Sequence, residues 1–134
     1  MDINLQVGLK GESKDVVTEK NTAVAYGSGG VAVYATPAMI GLMENAALSA
    51  VDPHLPEGMA TVGTELNVKH LSATPMGMVV RAKAELLEVT GRRLVFNLEA
   101  YDELEKIGEG THERYIINIE KFLKKTADKL ESKR

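Results

Sequence analysis

Glu44 is the only ionisable side chain between Met39 and Val51, in a run otherwise made of apolar and small polar residues. Desolvation penalises an ionised carboxylate, so a charge in such a run needs either an opening to solvent or a purpose. Two readings carry comparable weight: Glu44 emerges at a gap or subunit interface and is solvated, or it is held as a base or nucleophile. His70 bears on the choice. Across residues 60–71, Val62, Thr64, Leu66, Val68 and His70 recur with period two and share one strand face. A lone histidine on an apolar face is most often a satisfied core residue. Here, however, the element that this face must cover carries a carboxylate, and the pair raises the functional reading above the structural one. Carboxylate and imidazole together suit nucleophilic attack with proton transfer.

Other residues carry weaker signals. Thr36 precedes Pro37 and reads as a helix N-cap, with proline at the first helical position. Thr36 and Glu44 are separated by about 12 Å along a helix, at 1.5 Å per residue, which rules out easy contact within one chain. Joint use of the two would therefore favour a dimer with the site at its interface. Gly63 interrupts its strand at the parity opposite to His70, the mark of a bulge or of a close approach by ligand or backbone. A backbone N–H there could bind a carbonyl oxygen. Arg114, beside Gly108-Glu109-Gly110, is a candidate phosphate ligand, and a surface salt bridge explains it equally well. Gly27-Ser28-Gly29-Gly30 lacks the Lys-Ser/Thr that completes a phosphate-binding loop and reads as flexible. His54, His70 and His112 have no ligand spacing, so no metal is expected. The basic stretch from Lys121 to Arg134 reads as a solvated helix face, or as an attraction for an anionic ligand such as a nucleotide phosphate.

The elements that must position these residues follow from pattern. Val31 to Val51 is apolar enough to resemble a membrane span, but Pro37, Glu44 and Asn45 interrupt it. A carboxylate deep in a bilayer costs at least about 2.5 kcal/mol, so the segment reads as a helix buried in protein. It opens at Thr36-Pro37, ends at Asp52-Pro53 and is apolar nearly all round, which requires wrapping on every side. Ahead of it, Ile3, Leu5, Val7 and Leu9 alternate and a strand is expected around residues 14–18. After it come strands over residues 60–71, 79–89, 94–100 and 107–119, joined at Thr74-Pro75-Met76-Gly77, Thr90-Gly91-Arg92 and Asp102 to Lys106. The short connections predict an antiparallel meander. Ile119, Phe122, Leu123 and Leu130 then sit at helical spacing. This order lacks the repeated crossovers of a parallel sheet and predicts an α+β fold: about five antiparallel strands wrapped around one long buried helix, with a short C-terminal helix.

Composition sets the outer bounds. A chain of 134 residues suits one domain over 1–134, and its 44% hydrophobic content is globular. The net charge of −3 argues against a nucleic-acid partner. With no cysteine, disulfides, thiolate metal sites and a cysteine nucleophile are excluded. The start, Met1-Asp2-Ile3-Asn4-Leu5, has neither a basic nor an apolar signal region, so a cytoplasmic protein without membrane association is expected.

Several segments together resemble the hotdog-fold thioesterases of the fluoroacetyl-CoA thioesterase-like group. They are Tyr34-Ala35-Thr36, Gly41-Leu42-Met43-Glu44, Gly63-Thr64, His70 with Ala73-Thr74-Pro75 and Gly77, Gly91-Arg92-Arg93, Ile107-Gly108, Gly110-Thr111-His112-Glu113-Arg114 and Glu120-Lys121-Phe122. The resemblance runs from about Val7 to Phe122. It implies a catalytic trio of Thr36, Glu44 and His70 at the interface of a homodimer; pairing of dimers into a tetramer is left open. It also implies roles for Gly63 at the thioester carbonyl and Arg114 near the acyl-CoA. The implied activity is hydrolysis of a small acyl-CoA to acid and free CoA, with no cofactor beyond the CoA of the substrate. In that scheme Glu44 attacks or activates water, His70 transfers protons and Thr36 orients the carboxylate by a hydrogen bond. The rivals are an enoyl-thioester hydratase or dehydratase and a non-catalytic acyl-CoA-binding module. The fluoroacetyl-specific member has phenylalanines forming a lid before the helix, whereas residues 27–35 contain none here.

Overall fold

The computed structural model describes residues 3–133. Met1 and Asp2, part of the start read above, and Arg134 at the end of the basic stretch lie outside it. Five strands, β1 (Lys10–Val16), β2 (Met59–His70), β3 (Val79–Thr90), β4 (Arg93–Tyr101) and β5 (Lys106–Asn118), form one antiparallel sheet. A one-turn helix α1 (Ala23–Tyr26) precedes the long helix α2 (Thr36–Val51), and α3 (Ile119–Glu131) closes the chain. This is the expected hotdog arrangement, a curled antiparallel sheet with a long helix packed against it and a short C-terminal helix.

Three expectations are corrected. The first strand lies at Lys10–Val16, and the alternating residues before it are not a strand; Ile3, Leu5 and Leu9 instead pack against the core while Val7 is exposed. The sheet order is β1-β3-β4-β5-β2, so β3, β4 and β5 form a meander but β2 pairs with β5. Thr74 to Gly77 therefore belongs to a crossover, not a hairpin, and β2 is left at the sheet edge. Third, α2 is not wrapped on every side. It buries Ala38, Met39, Met43, Ala46, Ala47, Ala50 and Val51, packing mainly on β1 and β3. Pro37, Gly41, Glu44 and Leu48, spaced three or four apart, form with Ile40 a stripe that the sheet leaves open or only half-covered.

The helix approaches β1 very closely. A Cβ at Gly11 would collide with the main chain of α2, at the Ala46 carbonyl oxygen and 2.8 Å from the Ala50 nitrogen. Two positions on, Ser13 Oγ donates to Asn45 Oδ1 at 2.6 Å. Gly11 thus sets the distance at which this edge strand grips the helix carrying Glu44. Backbone cannot yield as a side-chain end can, so Gly11→Ala is expected to destabilise the fold by about 1–3 kcal/mol, the range of core overpacking. Urea unfolding measures it, and a variant of unchanged midpoint would refute the close approach.

Candidate active site

The reactive side chains fall into two clusters. At the start of α2, Thr36 Oγ1 lies 2.7 Å from His70 Nδ1. The expected N-cap role belongs elsewhere: Ala35 occupies the cap position without a side-chain bond, Thr36 is the first helical residue, and its hydroxyl is spent on the imidazole. Within the chain Thr36 orients His70, not the Glu44 carboxylate. His70 Nε2 is shut off from solvent and makes no hydrogen bond among the described residues. Burial lowers the His70 pKa, against a smaller opposing effect of the Ser72 backbone.

The segment before α2 is pinned around this pair. Tyr34, fully buried, donates its backbone N–H to the Thr74 carbonyl at 2.9 Å and its hydroxyl to Asp15 Oδ2 at 3.2 Å. Burial, reinforced by the Asp15 charge, pushes that phenol's pKa up. The result is a cleft of about 370 Å³ beside Thr36 and His70, walled by Ala23, Ser28, Val33, Leu71, Ser72 and Ala73. Its walls are mostly small side chains, aliphatic (Ala23, Val33, Leu71, Ala73) and hydroxylic (Ser28, Thr36, Ser72) in similar measure, with Tyr34 and His70 the two rings.

The second cluster surrounds Gly63. A side chain there would place its Cβ 2.9 Å from Glu44 Oε2, 3.1 Å from His112 Cε1 and 3.5 Å from Arg114 Nη1. The absent side chain is therefore a gap facing a carboxylate, an imidazole and a guanidinium. The bulge expected at Gly63 is real: β2 pairs Gly63 with Arg114 and Glu65 with Glu113, leaving Thr64 as the extra residue. That insertion reverses parity, so Gly63 and His70 lie on the same inward face, contrary to the opposite faces counted from sequence. Glu44 side chain is 36% exposed, so the carboxylate emerges at a gap in the covering and is not sealed in the core.

Arg114 is not a surface residue, and the surface salt bridge is overturned. It is 4% exposed, with Nε donating to Thr61 Oγ1 at 2.8 Å and Nη2 to the Thr61 carbonyl at 2.9 Å. Thr61 Oγ1 in turn donates to Asp52 Oδ1 at 2.7 Å. Glu44 Oε2 stands 3.9 Å from Arg114 Nη1, an ion pair without a hydrogen bond. Burial pulls the Arg114 pKa down, partly offset by the Asp52 and Glu44 charges.

His112 went unrecognised as part of a site. It is 1% exposed, with Nδ1 2.8 Å from the Glu65 carbonyl and Nε2 3.1 Å from Arg114 Nη1. A carbonyl only accepts and a guanidinium only donates, so Nδ1 carries the proton and Nε2 a lone pair. These partners suit a neutral imidazole in one tautomer, and burial lowers its pKa in the same direction. A signal was present in the sequence: Gly108, Gly110, His112, Arg114 and Ile116 share a strand parity, which sets two polar residues on a core face.

The two clusters are far apart in one chain. Gly63 and His70 are separated by about 20 Å along β2 at roughly 3.3 Å per residue. No group of three or more metal-type ligands exists among the described residues, and no described helix is long and apolar enough to cross a membrane.

Comparisons with known proteins agree on one family. The family described as fluoroacetyl-CoA-specific thioesterase (FlK) matches residues 17–120. The fluoroacetyl-CoA thioesterase of Streptantibioticus cattleyicolor is 46% identical over 97 residues, 72% of this chain and 70% of that protein. The solved structure of the fluoroacetyl-CoA thioesterase FlK superposes with a TM-score of 0.88 at 39% identity, covering 94% of this chain and 98% of that one. A thioesterase superfamily member from Thermus thermophilus superposes with a TM-score of 0.85 at 30% identity, covering 96% and 98%.

The buried histidines make stability depend on pH in a defined direction. Both fold with pKa values below the ordinary 6.5, so the folded state binds fewer protons than the unfolded one. Their contribution is present above about pH 6.5 and is lost as pH falls below it. His112→Gln, which cannot titrate, is expected to flatten the decline in unfolding free energy between about pH 7 and pH 5. Denaturation at several pH values checks this; a slope equal to that of the parent protein would contradict the buried neutral imidazole.

Proposed function

The chain belongs to the fluoroacetyl-CoA-specific thioesterase family, and from that membership we propose that it hydrolyses a small acyl-CoA at a site built from two copies of itself. Its class of activity is that of its family, acyl-CoA thioester hydrolysis. The observation that carries the two-copy reading is the division of the site. Thr36 and His70 sit at one end of β2, Glu44 over Gly63 near the other, and neither cluster alone holds both carboxylate and unencumbered imidazole.

The exposed edge of β2 supports the way the halves meet. An edge strand presents unpaired backbone groups, and two copies related by a two-fold axis would pair them antiparallel. A register centred near Leu66 and Asn67 sets Gly63 of one copy opposite His70 of the other. It also covers surface that a lone chain leaves open, including Leu66 and Leu71, 38% and 48% exposed, and the uncovered stripe of α2. A homodimer is therefore part of the proposal. Further pairing has no support in the fold.

In this reading the thioester carbonyl lies between the two clusters, with the Gly63 N–H as donor to the oxygen on which charge develops. The Glu44 carboxylate makes no hydrogen bond among the described residues, which leaves its lone pairs available. It bonds to the carbonyl carbon while the C–S bond breaks, giving a mixed anhydride that a water then cleaves to the acid and free Glu44, or it takes the proton of a water that attacks the carbonyl directly. A thiolate leaves readily, so the step is assigned to side chains alone. His70, low in pKa and oriented by Thr36, exchanges the proton that converts thiolate to thiol. Arg114 is assigned to the carboxylate and not to a CoA phosphate, since its donors are committed inside the chain. The small-walled cleft beside Thr36 takes the acyl group. With no phenylalanine in residues 27–35, selectivity for a fluorinated acyl group is not part of the proposal. An intracellular setting, where acyl-CoA is found, follows from the substrate.

Two experiments test this. Gly63→Ala would push its methyl against the Glu44 carboxylate, the movable end of a side chain, so loss of thiol release is expected with little loss of stability. A folded Gly63→Ala enzyme of normal turnover would oppose the placement of the carbonyl. Glu44→Ala and His70→Ala should each abolish release of free CoA. Mixed and reassembled in equal amounts, they should recover about a quarter of parental activity, because half the dimers are mixed and each holds one intact site. Mixtures that stay inactive after exchange would overturn the shared site.

A further inference from the structure

Among the groups buried near the site, His112 has no part in the chemistry above, yet it is the most fully specified side chain there. Its proton is held at Nδ1 by the carbonyl of Glu65, at the bulge, and its Nε2 lone pair faces Arg114 Nη1 at 3.1 Å. We infer that His112 is a positioning residue for thioester hydrolysis: through its unprotonated Nε2 it anchors the Arg114 guanidinium at the rim of the Gly63 gap, and so holds Glu44 toward the substrate carbonyl. The inference rests on Glu44 being the reacting carboxylate.

Arg114 has three anchors. Nε and Nη2 are held by Thr61, itself tied to Asp52, and Nη1 by His112. The Thr61 bonds hold the planar guanidinium by Nε and Nη2, and His112 accepts from Nη1, the nitrogen that approaches Glu44. Without that acceptor a buried Nη1 hydrogen loses its partner, and the group shifts toward the carboxylate to satisfy it. The 3.9 Å ion pair would then become a direct hydrogen bond, occupying the lone pairs that the reaction needs. His112 therefore keeps Arg114 near enough to attract Glu44 and far enough to leave it reactive.

The same contact is sensitive to protonation. A proton on Nε2 removes the only acceptor offered to Nη1 there and sets an imidazolium against a guanidinium. The groups facing His112 are few: Arg114 on its own strand, Glu44 from α2, the Glu65 carbonyl from β2 and the Phe96 ring from β4, its centroid 6.1 Å away. The Glu65 carbonyl and the Glu44 charge both favour the imidazolium, but the carbonyl is already engaged at Nδ1, and drawing Glu44 to Nε2 would take it from its working position. Acid therefore disables the site at His112 as well as at His70.

The test compares kcat and KM against pH for the parent, His112→Gln and His112→Phe, by release of free CoA from acetyl-CoA and longer acyl-CoAs. Glutamine can accept from Arg114 and donate to Glu65 but cannot titrate. Its kcat near neutrality is expected within about twofold of the parent, with the acid limb shallower by one proton. Phenylalanine offers no acceptor, and kcat is expected to fall about 10- to 100-fold with KM nearly unchanged. An acid limb in His112→Gln identical to the parent's, or parental kcat in a folded His112→Phe, overturns the inference. Should the phenylalanine variant not fold, the glutamine profile decides alone. Glu44→Gln in the same series separates the two levels: if it retains turnover, the site reading itself fails and this inference with it. If turnover depends on Glu44 but the His112→Gln profile is unchanged, only the role of His112 is lost.

Discussion

Helix α2 is covered by its own sheet over part of its circumference only, and the placement of every reactive group follows from where that cover stops. The side toward β1 and β3 is small-residue packing, with Gly11 admitting the helix main chain at close range. The opposite side keeps Pro37, Gly41 and Glu44 in the open or half-open. A carboxylate on the covered side would have needed full compensation in a low dielectric. On the open side it keeps solvent contact while still facing a buried cation.

That cation is the second feature on which the site depends. A guanidinium withdrawn from water is costly and persists only when its donors are satisfied. Arg114 meets the condition through Thr61, the Thr61 carbonyl and His112, with Asp52 behind them. Positive charge is thereby fixed beside Gly63 before any ligand arrives, in the manner of a preorganised electrostatic site. The Thr36–His70 pair has a different character. It is an imidazole whose pKa burial lowers, held by a hydroxyl beside a cleft of aliphatic and hydroxylic walls. One cluster is arranged around charge and the other around a hydroxyl-bound imidazole; in the proposed reading they supply the carboxylate and the proton transfer of thioester cleavage.

The distance between these halves is a matter of secondary-structure geometry. Eight residues of helix and seven of strand hold them apart within a chain, and neither element can bend enough to close the gap. In the proposed dimer the edge position of β2 closes that gap, because this strand carries residues of both clusters and lacks a neighbour on one flank. The extra residue at Thr64 matters here too. By turning Gly63 to the inward side it brings the Glu44 gap and the His70 ring onto the same face of the sheet, where a single ligand can meet both.

Much of this was legible in the chain of residues alone. Thr36-Pro37 and Asp52-Pro53 delimit α2 because proline acts locally, through its fixed φ and missing N–H. Period-two alternation located β2 to β5, since burial of one sheet face is written directly into residue order. Glu44 stood out because an ionisable group in an apolar run is conspicuous wherever the chain folds. The rest depended on which elements meet. The inserted Thr64 leaves no trace in hydropathy, yet it inverted the face of Gly63 relative to His70. Thr36 read as a cap until its hydroxyl was found on an imidazole thirty-four residues away. Arg114 read as a phosphate ligand or a surface salt bridge: its parity sets it on the core face, but nothing local reveals that Thr61 and His112 would satisfy it there. Local sequence determines what each segment must become, since those forces act between near neighbours; only the tertiary structure decides which polar groups find partners, since those partners arrive from distant strands.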